Sequence, residues 1–289
     1  MRNTARATEG CMLEEHYSNG GVRAPVAIGG VGGSGTRVVA ELIDNLGIHI
    51  GTDLNDASDT LWFTLLFKRE EVLDCSEADF DALTNIFVAG LTQGAPLLPA
   101  AASLVRSLAA RERAQHPARW LEARAVSLIE ASRRPAQGRR WGWKEPNTHI
   151  VIERLWQRLP ELRYIHVVRN GVQMASSSNQ NQLRLWGPRV LGEDGPATPG
   201  RSLAYWCRVH RRMQDLLARN PERMLWLDFD SLCRDPEDTA ARLGRFLGYP
   251  PEDIVAALPA LKPPARRESC VNDFDPSDLA YVASLGYVI

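Results

Sequence analysis

Glycine is concentrated in one short segment near the start of the chain, with hydroxyl side chains beside it. Five of the seven residues 29–35 are glycine, in the order GGVGGSG, and an apolar VAI run precedes them. Residues 36–46 have apolar side chains at helical spacing. Because main-chain amides at the start of a helix bind anions, this strand–loop–helix pattern predicts an anion site. Its predicted contacts are Gly32, Gly33, Ser34, Gly35, Thr36 and Arg37.

The loop is compatible with more than one kind of ligand. Gly30, Gly32 and Gly35 match the GxGxxG pattern of dinucleotide-binding proteins, and Asp53 follows roughly twenty residues later. An NAD-dependent oxidoreductase is therefore one alternative. A nucleoside triphosphatase is disfavoured, because threonine and arginine follow Gly35 where a lysine and a magnesium-binding hydroxyl are required. A turn whose glycines only allow strand and helix to pack is the alternative without a ligand.

A second candidate anion site follows a later apolar run. Residues 164–168 have the pattern of a buried strand, and Arg169 comes directly after them, before an Asn-Gly turn. Ligands of open parallel sheets bind at the carboxyl ends of the strands, and a guanidinium forms strong hydrogen bonds with phosphate. Arg169 is therefore a candidate phosphate ligand, and a surface ion pair is the alternative.

Short apolar strands alternate with amphipathic helices, which predicts an α/β fold with a parallel sheet covered on both faces. Residues 60–134 show only helical spacing and predict a helical insertion. Asp235 with the following proline predicts the start of a late helix, and Gly248 predicts its end. The predicted strands are at residues 26–28, 141–144, 164–168 and 224–227.

The whole chain has 289 residues, of which 44% are hydrophobic and 24% charged, and its formal net charge is −1. This composition excludes collagen-like, coiled-coil and largely disordered chains, and the balanced charge favours neither nucleic acid nor an anionic membrane as a partner. Five scattered cysteines, no signal-peptide core and no apolar run of membrane-spanning length predict a cytoplasmic protein. Residues 1–24 are predicted to form a flexible tail and residues 25–289 a single domain.

Four segments resemble motifs of the sulfotransferases that use 3′-phosphoadenosine-5′-phosphosulfate (PAPS), and they occur in the family's order. The glycine loop, residues 28–36, resembles the 5′-phosphosulfate loop of the tyrosylprotein sulfotransferase-like branch, and residues 144–146 resemble its Lys-x-Pro segment. Residues 164–171 with Ser177 resemble the 3′-phosphate segment, and residues 226–248 resemble a late strand–helix motif. Several motifs in order are more specific than any one of them.

The resemblance implies a P-loop-type parallel sheet flanked by helices, with the helical insertion over the active site. It also implies PAPS as the co-substrate, 3′,5′-adenosine bisphosphate as the product and no metal ion. The glycine loop would hold the 5′-phosphosulfate. Arg169 and Ser177, on the following helix, would hold the 3′-phosphate, with either serine next to Ser177 as an alternative. Arg266 and Arg267 would close over the nucleotide, unless this basic turn is simply solvated.

One position departs from the family's pattern. The family usually has lysine or arginine where this chain has Gly33, and that cation helps to neutralise charge on the departing phosphate. Sulfuryl transfer depends mainly on positioning and charge stabilisation, so another cation must replace it. Lys144, assisted by Arg37, is the predicted replacement. A lysine at a strand end that only reaches water is the alternative for Lys144.

An acceptor hydroxyl or amine also needs a general base. Some relatives have a histidine two residues after the lysine, where this chain has Pro146. Other branches use an acid after the loop, and Asp53 is the corresponding candidate, with a helix cap or a solvated loop residue as the alternative. Glu145 is predicted to orient Lys144 as its ion-pair partner. Further base candidates are Asp56, His49 and His149.

Together these features predict transfer of a sulfuryl group from PAPS to a hydroxyl or amine of an unidentified acceptor. Small molecules, carbohydrates, lipids and peptides all remain candidate acceptors, because the specificity of such folds lies in their variable parts. A protein of the same fold that binds the nucleotide without catalysis is the alternative, beside the oxidoreductase considered above. No nucleic-acid partner and no membrane span are expected.

Overall fold

One sheet of four parallel strands forms the centre of the computed structural model, which describes residues 24–92, 94–113, 115–134, 140–261 and 273–289. The predicted tail, apart from residue 24, and the candidates Arg266 and Arg267 lie outside the described residues. The strand order is β2-β1-β3-β4, and every neighbouring pair is parallel, as predicted. The strands are β1 (Val26–Gly30), β2 (Gly142–Lys144), β3 (Arg163–Val168) and β4 (Met224–Asp228).

Helices connect the strands and cover the sheet. None of the helices in the described residues is both long and apolar enough to cross a membrane. A short 3-10 helix spans Glu70–Val72. The α-helices are α1 (Thr36–Asn45), α2 (Leu61–Phe67), α3 (Glu77–Thr92), α4 (Pro99–Ala109), α5 (Ala118–Ala131), α6 (Thr148–Arg158), α7 (Gly171–Ala175), α8 (Asn181–Leu191), α9 (Pro199–Arg219), α10 (Phe229–Arg234), α11 (Pro236–Leu247), α12 (Pro251–Ala257) and α13 (Pro276–Ser284).

The strand side chains divide between two buried layers, because successive residues of a strand point to opposite faces. Val26, Ile28 and Ile165 belong to the layer that contains the apolar faces of α1 and α11. Ala27 and Tyr164 belong to the opposite layer, to which the helices from α2 to α6 contribute. Burial on both faces explains why these strands are continuous apolar runs in the sequence.

The helices α2 to α5 lie between α1 and β2 in the chain, and they confirm the predicted helical stretch. Their aromatic side chains pack against each other and against the sheet. The ring of Phe87 meets Phe67 edge-on at 5.6 Å and Trp143 of β2 edge-on at 5.2 Å. Such pairs add about 0.5–1.5 kcal/mol beyond the burial of their area. These contacts fix the helical insertion to β2, the strand that ends at Lys144.

Capping residues set the ends of the later helices. Asp235 caps α11, and Gly248 ends it with a left-handed φ of 75°, as predicted. Helix α9 begins at Pro199 because the side chain of Thr198 caps it by accepting a hydrogen bond from the Arg201 amide. The sequence patterns do not predict helices α8, α10, α12 and α13. Three of them, α10, α12 and α13, have fewer than ten residues and show few turns of the helical pattern.

Candidate active site

The glycine loop leads from the end of β1 into the start of α1. Gly33 and Gly35 have φ angles of 94° and 96°, in the left-handed region that favours glycine. A Cβ atom on Gly35 would also lie only 2.4 Å from the ring of Phe229, so a side chain there forces a shift. The first amides of a helix have no partners within the helix. The loop and the first turn of α1 therefore provide main-chain donors for an anion.

Hydroxyl groups and a guanidinium accompany these amides. Ser34 is fully buried, and none of the described residues forms a hydrogen bond with its Oγ. A buried hydroxyl without a partner is costly, and an oxygen atom of a bound ligand would satisfy it. Thr36 is also buried at the start of α1, whereas Arg37 is exposed in the same turn. These residue types fit a bound phosphate or sulfate group.

Arg169 reaches the glycine loop because β3 lies next to β1 in the sheet, and both strands end at the same edge. Its Nη1 donates a hydrogen bond to the Gly33 carbonyl at 3.3 Å, and its Nη2 donates to Gln173 Oε1, also at 3.3 Å. The structure thus brings the two predicted anion-binding segments together. A guanidinium beside main-chain donors suits a ligand with more than one anionic group.

Ser177 lies in a turn, and the prediction that it stands on a helix is wrong. Helix α7 ends at Ala175, and Gln180 Nε2 donates hydrogen bonds to the main-chain carbonyls of Met174, Ala175 and Ser177 near that end. Ser177 Oγ accepts a hydrogen bond from the Asn179 amide at 3.2 Å. Asn179 borders the glycine loop, since its Nδ2 would lie 3.4 Å from a Cβ atom on Gly32.

Gln182 and Asn179 are neighbours of the loop that sequence reasoning missed. Gln182 Nε2 donates to the Gly30 carbonyl at 3.1 Å, and its Oε1 lies 3.3 Å from His149 Nε2. Gln182 therefore links the end of β1 to the first turn of α6. The polar run at residues 176–182, shortly after Arg169, was the available signal for both residues.

Lys144 is the last residue of β2 and is aligned with Ile28 of β1. Its side chain is only 2% exposed, so the alternative of a lysine that reaches water is wrong. Lys144 Nζ donates to the Ala57 carbonyl at 2.9 Å and to the carboxylate of Asp59. A buried ammonium needs such partners because its desolvation is costly. Asp59, which the sequence did not single out, therefore fixes the position of this cation.

Glu145 does not pair with Lys144, contrary to the prediction. Its buried carboxylate accepts hydrogen bonds from the amide and from Nδ2 of Asn147, at 2.5 and 2.8 Å. The ammonium of Lys68 lies 3.9 Å away. Burial raises the pKa of Glu145. The prediction failed because the Lys144 ammonium is already bound by Asp59, a residue distant in the sequence.

The candidate bases lie in different surroundings. Asp53 accepts a hydrogen bond from Ser127 and pairs with Arg124 Nε at 2.8 Å, so its carboxylate is joined to α5 of the insertion. In the described part of the chain, no contact connects this carboxylate to the glycine loop. Burial lowers the pKa of His149 to about 3, which makes it a weak base at neutral pH. Asp56 is exposed in a turn.

A model of the sulfotransferase family matches residues 25–253. The fold, the glycine loop and the arginine at the adjacent strand end agree with a transferase whose fold binds a nucleotide. Because the match covers most of the chain, the protein belongs to the sulfotransferase family. No curated protein is similar enough to match the chain.

Two solved bacterial sulfotransferases are similar to this chain at low sequence identity. The sulfotransferase domain from the Synechococcus PCC 7002 olefin synthase is 15% identical, with 94% of this chain and 98% of that chain covered and a TM-score of 0.48. Sulfotransferase STF9 from Mycobacterium avium is 15% identical, with 96% and 80% covered and a TM-score of 0.47. Because both identities are 15% and both TM-scores are below 0.5, the assignment to the family rests on the family model alone.

Proposed function

We propose that the protein transfers a sulfuryl group from PAPS to a hydroxyl or amine group of an acceptor. The contact of Arg169 with the Gly33 carbonyl is the observation that supports this most directly. A guanidinium, main-chain amides and the unpartnered Ser34 hydroxyl then line one site. A ligand with separate 3′- and 5′-anionic groups needs donors of both kinds. The residues present therefore fit this co-substrate.

In this proposal, the residues that hold the nucleotide come from two strand ends. The amides of residues 32–37, with the hydroxyls of Ser34 and Thr36, bind the 5′-phosphosulfate. Arg169 and Ser177 bind the 3′-phosphate. When bound, PAPS supplies an activated sulfuryl group, whose departure leaves negative charge on the nucleotide.

Other residues stabilise that charge and accept a proton. Lys144 and Arg37 are the proposed cations, and Asp59 holds the Lys144 ammonium in position. Asp53 is the proposed proton acceptor for the hydroxyl or amine, and its ion pair with Arg124 fixes the direction of the carboxylate. The protein contributes mainly positioning and charge stabilisation, as in phosphoryl transfer.

Nucleotide binding without catalysis is a second candidate, and one observation favours it. Gly33 has no side chain where the family usually has a cation, and the Lys144 ammonium is engaged by Asp59. A pocket of this kind would bind 3′,5′-adenosine bisphosphate with little acceleration of transfer. Binding and transfer must therefore be measured separately.

Thermal unfolding with added ligands tests the binding half of the proposal. A ligand that binds only the folded state at a hundred times its Kd adds about 2.7 kcal/mol of stability. We expect 3′,5′-adenosine bisphosphate to raise Tm, and NAD or ATP with Mg²⁺ to leave it unchanged. Arg169→Ala should weaken bisphosphate binding at least tenfold, by about 1.4 kcal/mol. Arg245→Ala, an exposed arginine on α11, is the matched control and should bind normally.

Radiolabelled PAPS tests the transfer half. The protein is incubated with panels of phenols, sugars, lipids and tyrosine peptides, and labelled products are separated. A labelled acceptor supports the proposed activity. Bisphosphate binding without any labelled product supports the second candidate. Stabilisation by NAD but not by the bisphosphate would contradict both.

A further inference from the structure

A cavity of about 360 Å³ lies between α6, α8 and α9, apart from the glycine loop. This volume is at the lower end of those that bind small molecules, roughly 300–1,000 Å³. Its apolar lining includes Ile150, Trp186, Val190 and Val209. Trp186 and Val209 are almost completely buried, so they close the inner side of the cavity.

Three arginines line the same cavity, and no acidic residue does so among the lining residues described. Arg208 is exposed, and no ion pair or hydrogen bond joins it to another residue in the described ranges. Arg189 pairs with Asp74, whose side chain is 70% exposed, and Arg212 pairs with Glu153 at 2.7 Å. Exposed ion pairs contribute little, about 0–1 kcal/mol, so a ligand anion can compete for these guanidinium groups.

One lining residue of the cavity has a buried polar atom that no described residue contacts by a hydrogen bond. His149 is fully buried, and its Nδ1 has no hydrogen-bond partner in the described ranges, whereas its Nε2 contacts Gln182. Burial keeps this ring neutral. The cavity thus combines apolar walls, one neutral polar atom and a cationic rim. That combination matches a molecule with an apolar body and one anionic end.

We infer that this cavity binds an organic anion with an apolar body, such as an alkyl sulfate or a fatty carboxylate. The apolar part lies against Trp186, Val190 and Val209, and the anionic group contacts Arg208 at the rim. Arg189 and Arg212 add further positive charge. The inference does not depend on the proposed transfer reaction, because it uses none of the residues assigned to the nucleotide.

Calorimetric titration of the full chain with octyl sulfate, below its micelle concentration, tests this inference. We expect saturable binding with one molecule per chain, in the presence of 3′,5′-adenosine bisphosphate and in the Arg169→Ala variant. Octanoate should bind in the same way, which separates a general anion site from a sulfate-specific one. Octyl glucoside, which has the same chain without the charge, should bind at least tenfold more weakly.

Two variants locate the site. Arg208→Ala should weaken octyl sulfate binding about tenfold, whereas Arg184→Ala, an exposed arginine of α8 outside the cavity lining, should have no effect. Val190→Trp fills the apolar part and should abolish binding while Tm stays within a few degrees of the wild type. Equal affinities of the wild type and Arg208→Ala would overturn the inference. Binding that survives in a folded Val190→Trp variant would overturn it as well.

Discussion

Lys144 is the clearest example of a single residue whose surroundings decide what it can do. The sequence shows a lysine at the end of a strand, and such a side chain can reach water or a ligand. In the structure, it is buried and bound to Asp59 and to the Ala57 carbonyl. A buried ammonium that loses its carboxylate is strongly destabilised, by about 3–5 kcal/mol. Asp59 is therefore as important for the position of this cation as the strand itself.

The proposed role of Lys144 predicts a loss of turnover without a loss of binding. Lys144→Ala should lower kcat at least a hundredfold, by about 2.7 kcal/mol in the activation free energy, because a charge-stabilising group is removed. Its affinity for 3′,5′-adenosine bisphosphate should stay within threefold of the wild type. Lys68→Ala is a nearby control and should change kcat little, since the one ion pair of Lys68 in the described ranges is with Glu145 at 3.9 Å. Equal rates for both variants would remove Lys144 from the mechanism.

Among the elements, the junction of β1 and α1 has the strictest geometric requirements. Two glycines have left-handed φ angles, and one of them lies directly against the Phe229 ring of α10. The N-terminus of α1 is thus held close to the strand edge where Arg169 also emerges. A helix start that binds anions needs this close approach, because the effect is confined to the first turn.

Two glycine variants at opposite ends of α1 test this requirement. Gly35→Ala should lower the free energy of unfolding by about 3 kcal/mol or more, because it adds a clash with Phe229 to an unfavourable φ. Gly47→Ala shares the left-handed φ, at 77°, but its Cβ would meet no atom within 4 Å. It should cost about 1 kcal/mol. Urea unfolding measures both, and equal losses would show that the Phe229 contact is unimportant.

At the scale of the whole molecule, the core contains three histidines from different elements. His149 of α6, His166 of β3 and His210 of α9 are fully buried, and neighbouring rings lie 6.2 and 5.1 Å apart. Burial lowers the pKa of His149 and of His210 to about 3, and it lowers the pKa of His166 well below its ordinary value. All three are therefore neutral in the folded protein at physiological pH.

This cluster predicts that the fold loses stability in mild acid. In the unfolded chain, His149 and His210 bind protons near pH 6.5, whereas in the folded chain they do so only near pH 3. The free energy of unfolding therefore falls as the pH drops below 6.5. Between pH 7.5 and pH 5, the free energy of unfolding should fall by about 2 kcal/mol less in His210→Leu than in the wild type. The raised pKa of Glu145 acts in the opposite sense and favours the folded state at low pH. This contribution cancels in the comparison, because the wild type and the His210→Leu variant both contain Glu145. Urea unfolding at the two pH values measures the difference, and parallel losses would contradict the prediction.

Local patterns were sufficient for much of the fold and part of the candidate site. Apolar runs at strand length predicted all four strands, and GGVGGSG predicted a turn between a strand and a helix. These patterns work because strand burial, helix periodicity and glycine conformations depend on residues close together in the chain. Arg169 could be expected near the loop because parallel neighbouring strands end at one edge.

By itself, therefore, the sequence determined the four strands, several of the helices, the glycine loop and the likeness to sulfotransferases. Only the tertiary structure decided which side chains meet. Asp59 binds a lysine 85 positions later, and Gln182 contacts a carbonyl 152 positions earlier. Such pairs leave no periodic pattern in the chain, because their partners are set by how the helical insertion and α8 pack against the sheet. The arginine-lined cavity has the same origin, since most of its lining comes from three helices that only the packed core brings together.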